Sequence, residues 1–94
     1  MLRITKISHQ ASRVTLKLEG QIASDWVEEL QSVCLRVLEH ERTVALDFAG
    51  VTFVDSGGIT MLNRIATGNL EIINCPALIR DLLDQNGVNE IETH

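Results

Sequence analysis

Apolar residues recur at every second position near the start of the chain. Leu2 and Ile4, then Val14, Leu16 and Leu18, alternate with Arg3, Thr5, Thr15, Lys17 and Glu19. That period matches the alternation of side chains along a half-buried strand, so two strands are predicted. Ser8-His9-Gln10-Ala11-Ser12 between them is short and polar, as a hairpin connection requires, and Ile7 falls out of phase as at a twist or bulge. Gly20 is expected to end the second strand. From Ser24 to about His40 the period changes: Trp26, Val27, Leu30, Val33, Cys34, Val37 and Leu38 make one helical stripe, with Ser24 placed as the N-cap. Asp25, Glu28 and Glu29 in the first turns, and Arg36, His40 and Arg42 at the far end, complement the helix macrodipole.

Residues 43–48 return to period two, with Val44, Leu46 and Phe48 facing one way and Ala45 and Asp47 the other. Residues 49–54 read as a connection. A second helix is predicted from Asp55 or Ser56 to Thr67, with Ile59, Leu62, Ile65 and Ala66 on one face and Gly68 as its stop. Leu70 and Ile72, alternating with Glu71, make a fourth strand. Asn74-Cys75-Pro76 opens a third helix with Leu78, Ile79, Leu82 and Leu83 as its stripe and Asn86-Gly87 as its C-terminal cap. The order is ββαβαβα, and helices between strands imply parallel neighbours joined by right-handed crossovers. A parallel sheet covered on both faces shows continuous apolar runs, whereas all four of these strands alternate. The expected fold is therefore an α/β four-stranded mixed sheet in the order 1-2-3-4: a hairpin of the first two strands, then parallel neighbours, with the helices on one face.

Composition narrows the possible functions. With 94 residues, 45% of them hydrophobic, the chain can bury one modest core, so a single domain over residues 1–94 is expected. Thirteen acidic residues against eight basic ones give a formal charge of −5, which argues against binding nucleic acid through its phosphates. No apolar stretch approaches the roughly 20 residues that span a bilayer, so no direct membrane insertion is expected and the protein is placed in the cytoplasm. Cys34 and Cys75 are far apart, with no Cys or His at ligand spacing, and read as buried thiols; no disulfide, metal site or cofactor is expected.

The segment hardest to explain by packing is Asp55-Ser56-Gly57-Gly58, opening the second helix. Two glycines in a first helical turn weaken a helix by up to about 1 kcal/mol each relative to alanine, so a close approach to the backbone is expected there. The free amides of that turn would attract an anion, and Ser56 lies at the mouth of this site. A phosphate on Ser56 would add about −1.5 to −2 charge units to any surface docked over it. Phe53 and Met61 are expected beside Ser56 as surface apolar contacts, Met61 because Ile59, Leu62 and Ile65 already fill the core face. Thr52 and Thr60 complete the candidate contact set. Trp26 is expected in the core, although its place near the loop after the second strand leaves an interface role open. Asp-Ser-Gly-Gly also surrounds serine-protease nucleophiles, but His9 falls in a turn, His40 at a helix end and His94 at the terminus, so no triad is expected. The nucleotide-binding pattern G-x-x-x-x-G-K-[ST] is absent as well.

The run Val44-Ala45-Leu46-Asp47-Phe48-Ala49-Gly50-Val51-Thr52-Phe53-Val54-Asp55-Ser56-Gly57-Gly58-Ile59 resembles the signature of the STAS domain. This module is shared by bacterial anti-sigma-factor antagonists and the cytoplasmic ends of sulphate transporters. The resemblance covers nearly the whole chain in element order. It implies that Ser56, directly after Asp55 and before Gly58, is the position that antagonists present to a serine kinase that is also the anti-sigma factor. The family often has a second serine where this chain has Gly57, and many antagonists have an acidic residue in the loop where this chain reads Gly20-Gln21-Ile22-Ala23. The resemblance implies a phosphorylation-switched protein-binding module. The alternative is a constitutive STAS subunit of a bacterial lipid-transport complex that binds its ATPase without phosphate.

Overall fold

A computed structural model describes residues 1–9, 13–39, 43–65 and 69–85. The elements run β1 (Leu2–His9), β2 (Arg13–Ile22), α1 (Trp26–Leu38), β3 (Thr43–Val54), α2 (Ser56–Ile65), β4 (Leu70–Ile73) and α3 (Ala77–Gln85). The four strands form one sheet in the order β1-β2-β3-β4, with β1 antiparallel to β2 and the other neighbours parallel. This is the mixed sheet that the alternation predicted.

One side of every strand is buried. Leu2 on β1, Val14, Leu16, Leu18 and Ile22 on β2, and Leu70 and Ile72 on β4 pack under Leu30 and Cys34 of α1, Leu62 of α2 and Leu83 of α3. The other side carries Arg3, Thr5, Lys17 and Glu71, none of them buried. Ala45 is the buried exception there, between its register partners Thr15 and Glu71. Arg13 reaches Glu71 across β3 at 3.0 Å, a surface ion pair of small energetic consequence. Ile7, predicted out of phase, lies at a register shift between Lys6 and Ser8 and is exposed.

Several boundaries differ from the pattern-based expectation. β1 extends through His9, so that residue belongs to a strand and not to a turn. β2 continues past Gly20 to Ile22, and Gly20 lies inside it with φ +110, where a Cβ would overlap the carbonyl oxygen of Met1. The largest difference is in β3, which absorbs the whole of the expected connection at residues 49–54. Register shifts opposite Lys17/Glu19 and Gly20/Gln21 place two extra residues in β3. After each bulge the buried positions step by three instead of two, from Phe48 to Val51 to Val54. The expected features at Ala66, Thr67, Gly68, Asn86 and Gly87, and at His40, Arg42 and His94, lie outside the described residues.

No described helix is long and apolar enough to cross a membrane.

Candidate functional site

The second bulge of β3 creates the exposed part of the site. Thr52 and Phe53 are consecutive and both exposed, with Phe53 at 47%, because the bulge interrupts the alternation that would have turned one of them inward. Thr52 Oγ1 donates to the Gly20 carbonyl at 3.2 Å, tying this stretch to the end of β2. The chain then passes from β3 into α2 through Asp55 alone.

Asp55 is the hub of the junction. Its amide donates to the Ile22 carbonyl at 3.0 Å, and its carbonyl accepts from the Ile59 amide at 3.0 Å. One carboxylate oxygen, Oδ1, accepts from the Gly58 amide at 2.7 Å, the bond that an N-cap side chain makes to the third helical residue. The other, Oδ2, accepts from the amide of Ser24 at 3.0 Å. The Ser24 amide, with those of Gly58 and Gly57, favours the charged carboxylate and holds its pKa below the usual carboxylate range, against a smaller opposing effect of burial.

Two expectations are corrected here. Ser24 is not the N-cap of α1: its backbone is left-handed at φ 55, and the residue preceding α1 is Asp25, which makes no side-chain capping bond. Ser24 takes that conformation while directing its amide at Asp55, a partner 31 residues away that no local pattern discloses. Nor is the first turn of α2 an open anion site, because the Asp55 carboxylate already caps it through the Gly58 amide and the Asp55 carbonyl takes the Ile59 amide. Asp55 is the cap, and the hydroxyl of the exposed Ser56 makes no hydrogen bond among the described residues. Its carbonyl accepts from Thr60 Oγ1 at 2.9 Å, which holds that exposed threonine on the same surface.

The two glycines separate in role. Gly57 is exposed, and a Cβ there would meet only Asp55 Oδ1, at 3.4 Å. Gly58 is buried, and a Cβ would come within 2.9 Å of both the Ile22 carbonyl oxygen and Val54 Cγ1. The close approach expected at this backbone is therefore made at Gly58 by the protein's own β2, so Gly58 is not available for direct contact with a partner. Met61 is also corrected: it is 1% exposed and belongs to the core. α2 packs against both β3 and α1, so its buried stripe widens to Gly58, Ile59, Met61, Leu62 and Ile65. The exposed members of the candidate set are Thr52, Phe53, Ser56, Gly57 and Thr60, with Asp55 half-buried among them.

Trp26, expected in the core, is half-buried at the first position of α1. Cys34 is fully buried, and desolvation pushes its thiol up to about 12. Cys75 is only half-buried. Among the described residues, no three His, Cys, Asp or Glu side chains stand close enough together to hold a metal ion.

Comparison with known proteins agrees with this architecture. The structure of the anti-sigma factor antagonist SpoIIAA in its unphosphorylated form matches with a TM-score of 0.67 at 18% sequence identity, over 87% of this chain and 82% of that one. At that identity the likeness is one of fold. No curated protein matches. The family model STAS_2, described as "Mlab, STAS domain", matches residues 5–93, almost the whole chain. That match over nearly the whole chain, joined to the sheet order and the Asp55-capped helix, is decisive: the chain belongs to the STAS domain family.

Proposed function

We propose that this STAS domain is a regulatory protein-binding module that docks a serine-kinase or anti-sigma-like partner through the start of α2 and is released when Ser56 is phosphorylated. The observation that carries this reading is the division of roles between neighbours. Asp55 uses its carboxylate to cap the helix, which leaves the Ser56 hydroxyl exposed beside Phe53, Gly57 and Thr60. Phe53 supplies the aromatic anchor that protein interfaces favour, and Gly57 lets a partner approach the backbone. The fold shared with an anti-sigma factor antagonist whose structure is that of its unphosphorylated form supports the reading.

In the transfer, Ser56 Oγ bonds to the γ-phosphorus of ATP, the bond to the leaving ADP oxygen breaks, and the hydroxyl proton passes to a base of the kinase. The formal charge then moves from −5 to about −7, with the new dianion inside the contact surface, where it repels the partner and cannot be desolvated cheaply. Incubation with the cognate kinase and ATP adds one phosphate to the wild type and none to Ser56→Ala, read by intact mass; wild-type protein left unmodified by every kinase of its cell refutes the switch.

A second reading is favoured by the capped helix start itself. Because the Asp55 carboxylate already accepts from the Gly58 amide, the helix start is capped without phosphate. It suits a constitutive subunit of a lipid-transport complex that binds a transporter ATPase. In that case a pull-down recovers the ATPase equally with wild type and Ser56→Ala.

A further inference from the structure

The Asp55 carboxylate is shared between two segments distant in sequence. Oδ1 holds the Gly58 amide of α2, and Oδ2 holds the Ser24 amide in the turn between β2 and α1. The end of β2, just before that turn, is also tied to residue 55, through the Asp55 amide donating to the Ile22 carbonyl. The side-chain tie differs in kind from that backbone bond, because it depends on where a charged group sits and therefore responds to charge placed beside it.

Ser24 has a left-handed backbone, a conformation that is costly for a residue with a side chain and persists only where surrounding contacts impose it. The amide of Trp26 donates to Ala23 and that of Val27 to Ser24, both at 3.2 Å, so the conformation of Ser24 also sets how α1 begins. Asp25, next in the chain, is exposed and makes no capping bond, and Glu28 and Glu29 follow in the first turn of α1. No ion pair engages these three acids among the described residues. A change at Ser24 therefore reaches the exposed acidic start of α1.

We propose that a phosphate on Ser56 acts at a distance as well as locally: it displaces the Asp55 carboxylate from the Ser24 amide and so releases the turn at residues 23–25, making that turn part of the switched surface. The physical drive has two parts. The dianion repels the carboxylate of the adjacent residue, and it competes for the amides at the helix N-terminus, which attract phosphate as readily as carboxylate. When Asp55 moves, Ser24 loses the charged acceptor that holds its backbone.

The inference rests on phosphorylation of Ser56, but its test needs no kinase. Phosphoserine is installed at position 56 during translation, and amide hydrogen exchange is followed by NMR for Ser24, with Leu46 in β3 as control. Asp55→Asn, which keeps the shape but removes the charge, calibrates the loss of the clamp. Exchange at Ser24 is expected to rise about tenfold in Asp55→Asn and by a similar factor with phosphoserine 56, in each case beyond the change at Leu46, which reports global stability. Phosphoserine in the Asp55→Asn background is expected to add nothing further. The proposal is overturned if phosphoserine leaves Ser24 exchange within twofold of wild type, or if it raises exchange equally with and without the Asp55 carboxylate. Failure of cellular kinases to modify Ser56 would instead count against the phosphorylation switch.

Discussion

Adjacent glycines at the start of α2 should respond with opposite sign to the same substitution. Gly57→Ala places a methyl in open space, with its nearest neighbour Asp55 Oδ1 at 3.4 Å, and removes the conformational freedom of glycine from the unfolded chain. A gain of about 0.5 kcal/mol is expected, less than the full helix-interior difference because the site lies in the first turn. Gly58→Ala gains the same propensity, but its methyl falls 2.9 Å from the Ile22 carbonyl oxygen and from Val54 Cγ1, and 3.0 Å from Ile22 Cγ2. None of these atoms is the free end of a flexible side chain. The Ile22 carbonyl also accepts the Asp55 amide, so it cannot retreat without stretching that bond. Overpacking of this kind costs about 1–3 kcal/mol, leaving a net loss of about 1 kcal/mol after the propensity gain. The two variants should therefore differ by about 1.5 kcal/mol in urea unfolding, and by roughly 6–12 °C in Tm for a domain of this size. Equal stabilities, or a Gly58→Ala protein more stable than Gly57→Ala, would refute the packing account of Gly58.

Asp55→Ala should cost about 1–2 kcal/mol through loss of the cap, measured by chemical unfolding. Because the folded-state pKa of Asp55 is lowered, its contribution is complete above the ordinary carboxylate range and is lost as pH falls through the folded value. Wild type and Asp55→Ala should thus converge in stability below about pH 4, and a gap that persists unchanged into stronger acid would contradict the assignment. Cys34, buried and with its thiol raised to about 12, should resist a thiol reagent at pH 8 until the protein unfolds, while the half-buried Cys75 is modified first. Mass spectrometry of peptides after a timed pulse separates the two, and equal rates would show that Cys34 is not enclosed.

The sheet was legible because its strands are one-sided: Val14, Leu16 and Leu18 or Val44, Leu46 and Phe48 leave no other reading than alternating burial. The same rule hid the second half of β3. Bulges step its buried positions by three, and Ala49-Gly50-Val51-Thr52-Phe53 then looks like a connection although it is paired with β2. The burial of Met61 is hidden for a related reason, since a stripe counted on one face cannot show that α2 is enclosed by β3 and α1 together. The importance of Asp55-Ser56-Gly57-Gly58 was visible in its two glycines, yet their division of labour was not. The contacts that decide it come from Ile22 and Ser24, more than 30 residues away in the chain.

A partner that docks on the exposed start of α2 can be caught in place by photocrosslinking. A photoreactive phenylalanine analogue is placed at position 53, at the exposed end of β3, or at the exposed position 5 in the edge strand β1, in the full chain expressed in its own cell. One discrete protein adduct is expected from position 53, lost when position 56 carries phosphoserine, and no such adduct from position 5. The same adduct from both positions, or none from position 53, would contradict docking there.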